Sequence, residues 1–255
     1  MKQSIAHKIG GLATGVIVLL SLCIPVFVCA QEANTWQNEI SIYGWYAGID
    51  GNITLPTGTG TDISVEASDI FDNLEMVLMG GYVGKYNKWS IMADLVYMDV
   101  GGSDSRAVGP VTASVGLDVK SWIIHGGVGY DVVQSDNGNL AVVGGVRYLA
   151  LDADVSLALQ STPIRTGSGS EGLLDGIIGL RGYLTLNDKW YLPYYADIGT
   201  GGSDLTWQLF GGVGYRFSWG DIRLGYRHLE YDLGDGKIAK DLKLSGPVLG
   251  IGFRF

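Results

Sequence analysis

Thiol chemistry has almost no place in this chain. Only two cysteines occur among 255 residues, Cys23 and Cys29, and both fall within the first thirty. The rest of the chain therefore forms no disulfide and offers no thiolate, although the N-terminus marks it for an oxidising compartment. Basic charge is also scarce, with 17 Lys and Arg against 26 Asp and Glu. That balance excludes the basic face a nucleic-acid partner requires. No apolar run after residue 30 is long enough for a membrane helix. There is no phosphate loop, zinc constellation or dinucleotide fingerprint, because glycine pairs such as Gly126-Gly127 and Gly144-Gly145 lie within strand-like segments rather than before helices. No cofactor and no metal site is expected.

The first thirty residues read as a targeting segment. Lys2 and Lys8 form a basic region, an apolar stretch runs from Ile9 to Val28 around Pro25, and small residues Cys29 and Ala30 precede polar Gln31. This pattern predicts a secretory signal at 1–30 with Gln31 first in the mature chain. An uncleaved anchor is the rival reading. Lipid attachment is excluded, since Leu22 and Val28 stand before the cysteines where a small residue is needed. Losing Lys2 and Lys8 takes the net charge from −9 to −11.

What the remainder contains is alternation. In one segment Leu205, Trp207, Leu209, Gly211, Val213, Tyr215 and Phe217 share a parity opposite to Thr206, Gln208, Phe210, Gly212, Gly214 and Arg216. In a strand, period two puts these sets on opposite faces. The charged face also carries Gly, Tyr and Arg, which suits a crowded polar lumen better than the Lys- and Glu-rich exterior of a soluble sandwich. Ten strands are predicted, at 38–54, 75–87, 89–101, 111–133, 139–160, 172–186, 190–200, 204–218, 221–233 and 241–255. Short turns at 87–88, 135–138, 187–189 and 219–221 alternate with longer or looser links at 55–74, 102–110, 161–171, 201–203 and 234–240. Transmembrane barrels have this asymmetry, with short periplasmic turns and longer outer loops.

The fold class is thus all-β: one antiparallel up-and-down transmembrane barrel over 31–255, of about ten strands, with eight plus decorations as the alternative. It belongs in the cell outer membrane. Tyr86, Trp89, Tyr130, Trp190, Tyr215, Phe217 and Trp219 cluster beside the short turns, where an interfacial aromatic girdle sits. In 111–133 and 139–160 the apolar parity switches along the segment, and a β-bulge above the bilayer is expected at each switch. Bulges are also expected at Pro193 and Pro247, which remove ladder donors.

The last strand places Leu249, Ile251, Phe253 and Phe255 on one face. Phe253 and terminal Phe255 resemble the C-terminal insertion signal of outer-membrane barrels, which implies the barrel-assembly machinery as a partner, beside outer-membrane lipid and lipopolysaccharide. Further motifs carry a wider likeness: Gly179-Leu180-Arg181-Gly182, Gly202-Ser203-Asp204-Leu205-Thr206-Trp207-Gln208, Gly214-Tyr215-Arg216-Phe217, Gly225-Tyr226-Arg227-His228-Leu229 and Ser245-Gly246-Pro247. Ser68-Asp69-Ile70-Phe71-Asp72-Asn73-Leu74 and Gly145-Val146-Arg147-Tyr148 belong to the same set. Together these resemble a widespread Gram-negative barrel family, loosely akin to the OmpW and opacity-type proteins. The resemblance implies a small outer-membrane barrel and carries over no catalytic residue.

The expected lumen-lining charges are Lys85, Asp94, Arg147, Asp175, Arg181, Asp197, Arg216 and Arg227, together with Arg254. They form either a satisfied polar core or a constriction that selects small solutes. Three functions follow: a narrow pore for small solutes, a non-conducting structural or surface-interaction barrel, and an outer-membrane hydrolase. The third would centre on His228 with Glu230, or on Asp152 and Asp154. It ranks last, so the chain is read as not an enzyme. Acidic residues Asp62, Glu66, Asp69, Asp72 and Glu75 read as a short amphipathic helix capped by Ser68, with divalent-cation bridging to lipopolysaccharide as the other reading.

Overall fold

The computed structural model describes residues 35–54, 60–108, 111–159, 162–234 and 239–255. The predicted signal segment lies outside them. Twelve strands and one short helix follow in order: β1 (Gln37–Trp45), β2 (Gly48–Thr54), β3 (Gly60–Val65), α1 (Ala67–Asp72), β4 (Leu74–Tyr86), β5 (Trp89–Val108), β6 (Val111–Ser135), β7 (Gly138–Leu159), β8 (Thr162–Thr185), β9 (Trp190–Gly201), β10 (Leu205–Arg216), β11 (Gly220–Asp232) and β12 (Ala239–Arg254). Every pairing is antiparallel, and β1 closes the sheet onto β12, so β1 and β4–β12 make a ten-stranded barrel. Where β1 pairs both β12 and β4, closure leaves no free edge, the condition for crossing lipid with strands.

Sequence residues 38–54 divide into two strands. β1 pairs β12 from Glu39↔Arg254 to Trp45↔Val248, and β2 continues the same register from Ser245↔Gly48. Between them the Tyr46 amide donates to the Pro247 carbonyl at 2.9 Å, but Pro247 has no amide to return. The strand is interrupted and the register is kept. On its other edge β1 pairs β4 only from Gln37↔Lys85 to Ile42↔Gly80. Above that, the Trp45 amide meets the Met79 sulfur at 3.3 Å, and β2 folds back on β3 as a hairpin.

The predicted bulge at Pro247 is therefore absent, and so is the one at Pro193. The β8–β9 ladder runs through Tyr183↔Pro193 unshifted, and β9–β10 skips a stretch without changing register. A proline amide faces only one neighbour, so its loss opens one rung without displacing the strand.

The parity switches in β6 and β7 also occur without a bulge. β5–β6 stays in one register from Trp89↔Tyr130 to Val108↔Val111, and β6–β7 is continuous between Ala113↔Leu159 and Asp131↔Ala141. The observed irregularities lie near strand ends, at Leu74/Met76, Asp131/Val133, Leu157/Ala158 and Ala239/Asp241. What changes along the strand is the medium outside. Low on β6 and β7, the outward residues Val128, Ile124, Val142, Val146 and Tyr148 are exposed and apolar. Higher up, the outward residues are Asp118, Lys120, Asp152 and Asp154, while Ile123 and Leu149 turn inward and are buried. Lipid gives way to water, and the apolar face moves from outside to inside.

Aromatic contacts mark both edges of the lipid band. Near the short turns, Trp89 packs on Tyr130 at 4.9 Å, Trp190 on Tyr215 at 4.9 Å, and Trp219 on Phe217 and Phe253. Tyr97 meets Trp122 at 4.4 Å near the other edge. From Tyr130 to Trp122 the strand advances about 27 Å at about 3.4 Å per residue, enough for a tilted strand to cross the hydrocarbon. The structure is an outer-membrane-type β-barrel.

The 55–74 link holds β3 and α1. Ser68 lies inside the helix, not ahead of it; the Glu66 carbonyl accepts the amides of Asp69 and Ile70 at 3.1 and 3.2 Å. Helix α1 buries Ile70.

Candidate functional site

Inward positions on successive strands build the lumen in layers. Asp94, His125, Arg147 and Asp175 are direct cross-strand neighbours on β5–β8. They form one row of polar side chains at mid-height. Arg147 and Asp175 have no exposure to solvent. Arg147 is ion-paired with Asp197 and donates to the Thr206 hydroxyl at 2.9 Å, while Asp175 accepts the Ser203 amide at 2.8 Å. Arg227 reaches Asp94 at 3.1 Å, Tyr43 at 3.0 Å and the Gln208 side chain at 2.8 and 3.0 Å.

Toward the short turns a second ionic group surrounds the chain ends. Arg223 pairs with Glu39 and Asp221, and Arg254 pairs with the same two carboxylates. Lys85 bridges Asp131 at 2.7 Å. Arg181 and Arg216 have no carboxylate within ion-pair distance among the described residues. Arg216 instead lies over two rings, 5.1 Å from the centre of Tyr183 and 4.4 Å from that of Tyr191.

This lower half is a cavity of about 1090 Å³ that opens between the short turns, with rim residues such as Trp36, Asp136 and Asp188 at its mouth. Above it lies an apolar plug. Trp45, Val96, Ile123, Leu149, Leu173, Leu229 and Tyr231 are each 2% exposed or less, and belong to one apolar cluster with Met79, Leu244 and Val248. Arg227 lies against the underside of this plug, its guanidinium carbon 4.6 Å from the Trp45 ring centre.

Glycines bring the strands close enough for these layers. A methyl at Gly179 would lie 2.7 Å from Asp197 Cβ, and one at Gly214 would enter the Tyr191 ring. They accommodate neighbouring side chains, and do not widen a passage.

Several residues of the site are not singled out by the sequence: Glu39, Tyr43, Tyr191, Asp221 and Arg223. Parity held the signal. Asp221 and Arg223 share the face of Arg227 on β11, and Glu39 and Tyr43 alternate through Ser41 on β1.

His228 and Glu230 face outward. His228 Nδ1 lies 2.5 Å from Ser245 Oγ and Nε2 lies 3.3 Å from Glu230, which also meets Lys243 at 3.4 Å. A serine, an imidazole and a carboxylate are thus in line. An acyl-transfer centre also needs donors aimed at an oxyanion, and β10, β11 and β12 are paired in continuous ladders around this group. Asp152 and Asp154 face outward on β7, away from His228 on β11. Phe253 and Phe255 are exposed on the outer face of the barrel's end. No group of three or more metal-ligating side chains occurs among the described residues.

No family model matches the sequence, and no curated protein does either. Solved structures similar in fold include the translocator domain of the autotransporter NalP from Neisseria meningitidis, with 17% identity, TM-score 0.47, and coverage of 88% of this chain and 90% of that one. The outer membrane protease OmpT from Escherichia coli shares 8% identity at TM-score 0.48, over 87% and 97% of the two chains. Ail, the attachment invasion locus protein of Yersinia pestis, shares 12% at TM-score 0.38, over 86% and 98%. Likeness at this level concerns the barrel alone.

Proposed function

We propose that this outer-membrane barrel does not conduct, and that it serves as a structural or surface-interaction protein whose lumen is closed toward the cell exterior. The observation that carries this reading is the apolar plug. A solute path needs a continuous wet route, and apolar constrictions exclude water even when they are not filled. Here Trp45, Ile123, Leu149, Leu173 and Leu229 pack together across the lumen, each 2% exposed or less. Below them Arg147 and Asp197 are paired and fully buried, so these two of the charges expected to select solutes neutralise one another inside a core.

The strands β5–β8 rise past the lipid band and present Asp118, Lys120, Asp152 and Asp154 outward. Surface contacts would be made there. Insertion of the purified protein into planar lipid bilayers tests the reading, with heat-dependent gel mobility as the check on folding. The expected record is silent. Discrete current steps altered by substitution of Arg147 or Asp197 would overturn it and restore the narrow pore.

A further inference from the structure

We propose that the lower half of the lumen is a binding site for a small organic anion, phosphate- or carboxylate-bearing, held between Arg181 and Arg216 and entering from the periplasmic side. The side of entry rests on the reading of a lumen closed toward the exterior; the anion site itself rests on the charges within the cavity.

The cations lining the cavity fall into two groups. Lys85, Arg223, Arg227 and Arg254 each have a carboxylate of the barrel within ion-pair distance: Asp131, Glu39 with Asp221, Asp94, and again Glu39 with Asp221. Arg181 and Arg216 have none among the described residues. Arg181 faces Glu39 and Asp131 without reaching either, and those carboxylates are already engaged. Two guanidinium groups with no ion-pair partner among the described residues therefore share a recessed chamber, whose remaining lining carboxylates, Asp136 and Asp188, stand at its mouth. Low-dielectric walls concentrate the field of such charges at the bottom of a cleft.

The geometry suits an oxyanion. The Arg216 guanidinium carbon lies over the rings of Tyr183 and Tyr191, which meet edge to face at 5.9 Å. Cation–π contact with two rings holds the guanidinium in place and uses none of its N–H groups, which can make paired hydrogen bonds to carboxylate or phosphate oxygens. Tyr191 is fixed in turn by its hydroxyl, which accepts from Arg223 Nε at 2.8 Å. On β8, Arg181 is the next inward residue above Tyr183. One ring thus lies between the two cations along the wall, and an aromatic or planar body has a surface to lie on. A volume of about 1090 Å³ accommodates a small organic molecule.

The test is calorimetric titration of the full protein, purified from outer membranes in a zwitterionic detergent at low salt, with pyrophosphate and citrate as separate probes. Saturable one-site binding of at least one probe is expected. Arg181→Gln combined with Arg216→Gln weakens it by about a hundredfold or more, since each lost charge-assisted bond is worth at least ~1.5 kcal/mol. Thr185→Glu, which adds a carboxylate to the same wall without removing an existing charge, gives an independent loss of binding. Folding of each variant is read from gel mobility. The proposal fails if neither probe saturates, or if the folded variants bind as the parent does. A silent barrel that binds neither probe refutes the site and leaves the closed lumen standing. A conducting barrel that binds one refutes closure and leaves the site.

Discussion

Arg227 and Trp45 meet at the boundary between the two halves of the lumen: the guanidinium carbon lies 4.6 Å from the indole centre, with the ion pair to Asp94 on one side and the apolar plug on the other. The contact caps a charge with a ring and a core with a cation.

Trp45 is 1% exposed, so Trp45→Ala removes a large side chain from a site with little room to collapse. The expected loss of stability is about 3–5 kcal/mol. Equilibrium unfolding in denaturant, followed by gel mobility in lipid vesicles, measures it. A loss below about 1 kcal/mol would mean that the plug is loosely packed and that closure is incomplete.

Arg147 and Asp197 have no side-chain exposure. Asp197→Ala leaves a buried guanidinium without its partner and should cost about 3–5 kcal/mol, whereas Arg147→Met with Asp197→Leu removes both charges and should recover much of that loss. A double-mutant cycle on unfolding free energies distinguishes this from two independent packing defects, which would simply add.

Gly179 opposes Asp197 across the β8–β9 ladder. Gly179→Ala puts a methyl 2.7 Å from Asp197 Cβ, and the rigid strand pairing prevents the two from separating. Destabilisation of about 1–3 kcal/mol is expected, and it should persist when Asp197 is also replaced by glycine, because the Ala196 carbonyl oxygen lies closer still to the added methyl than Asp197 Cβ does.

The lipid band is tested by two lysines on one strand. Val146 is 49% exposed on the outward face, and Val146→Lys should cost about 2–4 kcal/mol if that face meets the middle of the bilayer. Asp154→Lys, farther along the same face and directly opposite Asp118, should change stability by no more than about 0.5 kcal/mol. Equal costs at the two positions would contradict the change of medium between them.

Most of the barrel was legible because alternation reports a sheet with two different surroundings. The ten-strand count and the outward face of β10 follow directly from period two. The parity switch in β6 was equally visible but ambiguous: the same pattern arises from an inserted residue or from a change of solvent. Only the unbroken β5–β6 register separates the two. The first strand was read as continuous, because nothing local in Tyr46-Ala47 shows that Pro247, two hundred residues away, withholds a hydrogen bond there. The inward charges could be assigned to a face from sequence, yet their neutralisation could not. Which carboxylate meets Arg147, and that none of the described ones meets Arg181, depends on stagger between strands, and the sequence does not display stagger.

The short ladder between β1 and β4 has a mechanical meaning. A cylinder opens at its least-stitched seam, and here that seam ends at Ile42↔Gly80 while its neighbours continue far beyond. Above it a thioether, not a carbonyl, receives the Trp45 amide. The hairpin β2–β3 and the helix that buries Ile70 follow directly in the chain after this gap. Breathing of the wall should therefore begin there, with the amide of Trp45 among the first of the barrel to exchange its proton for a deuteron.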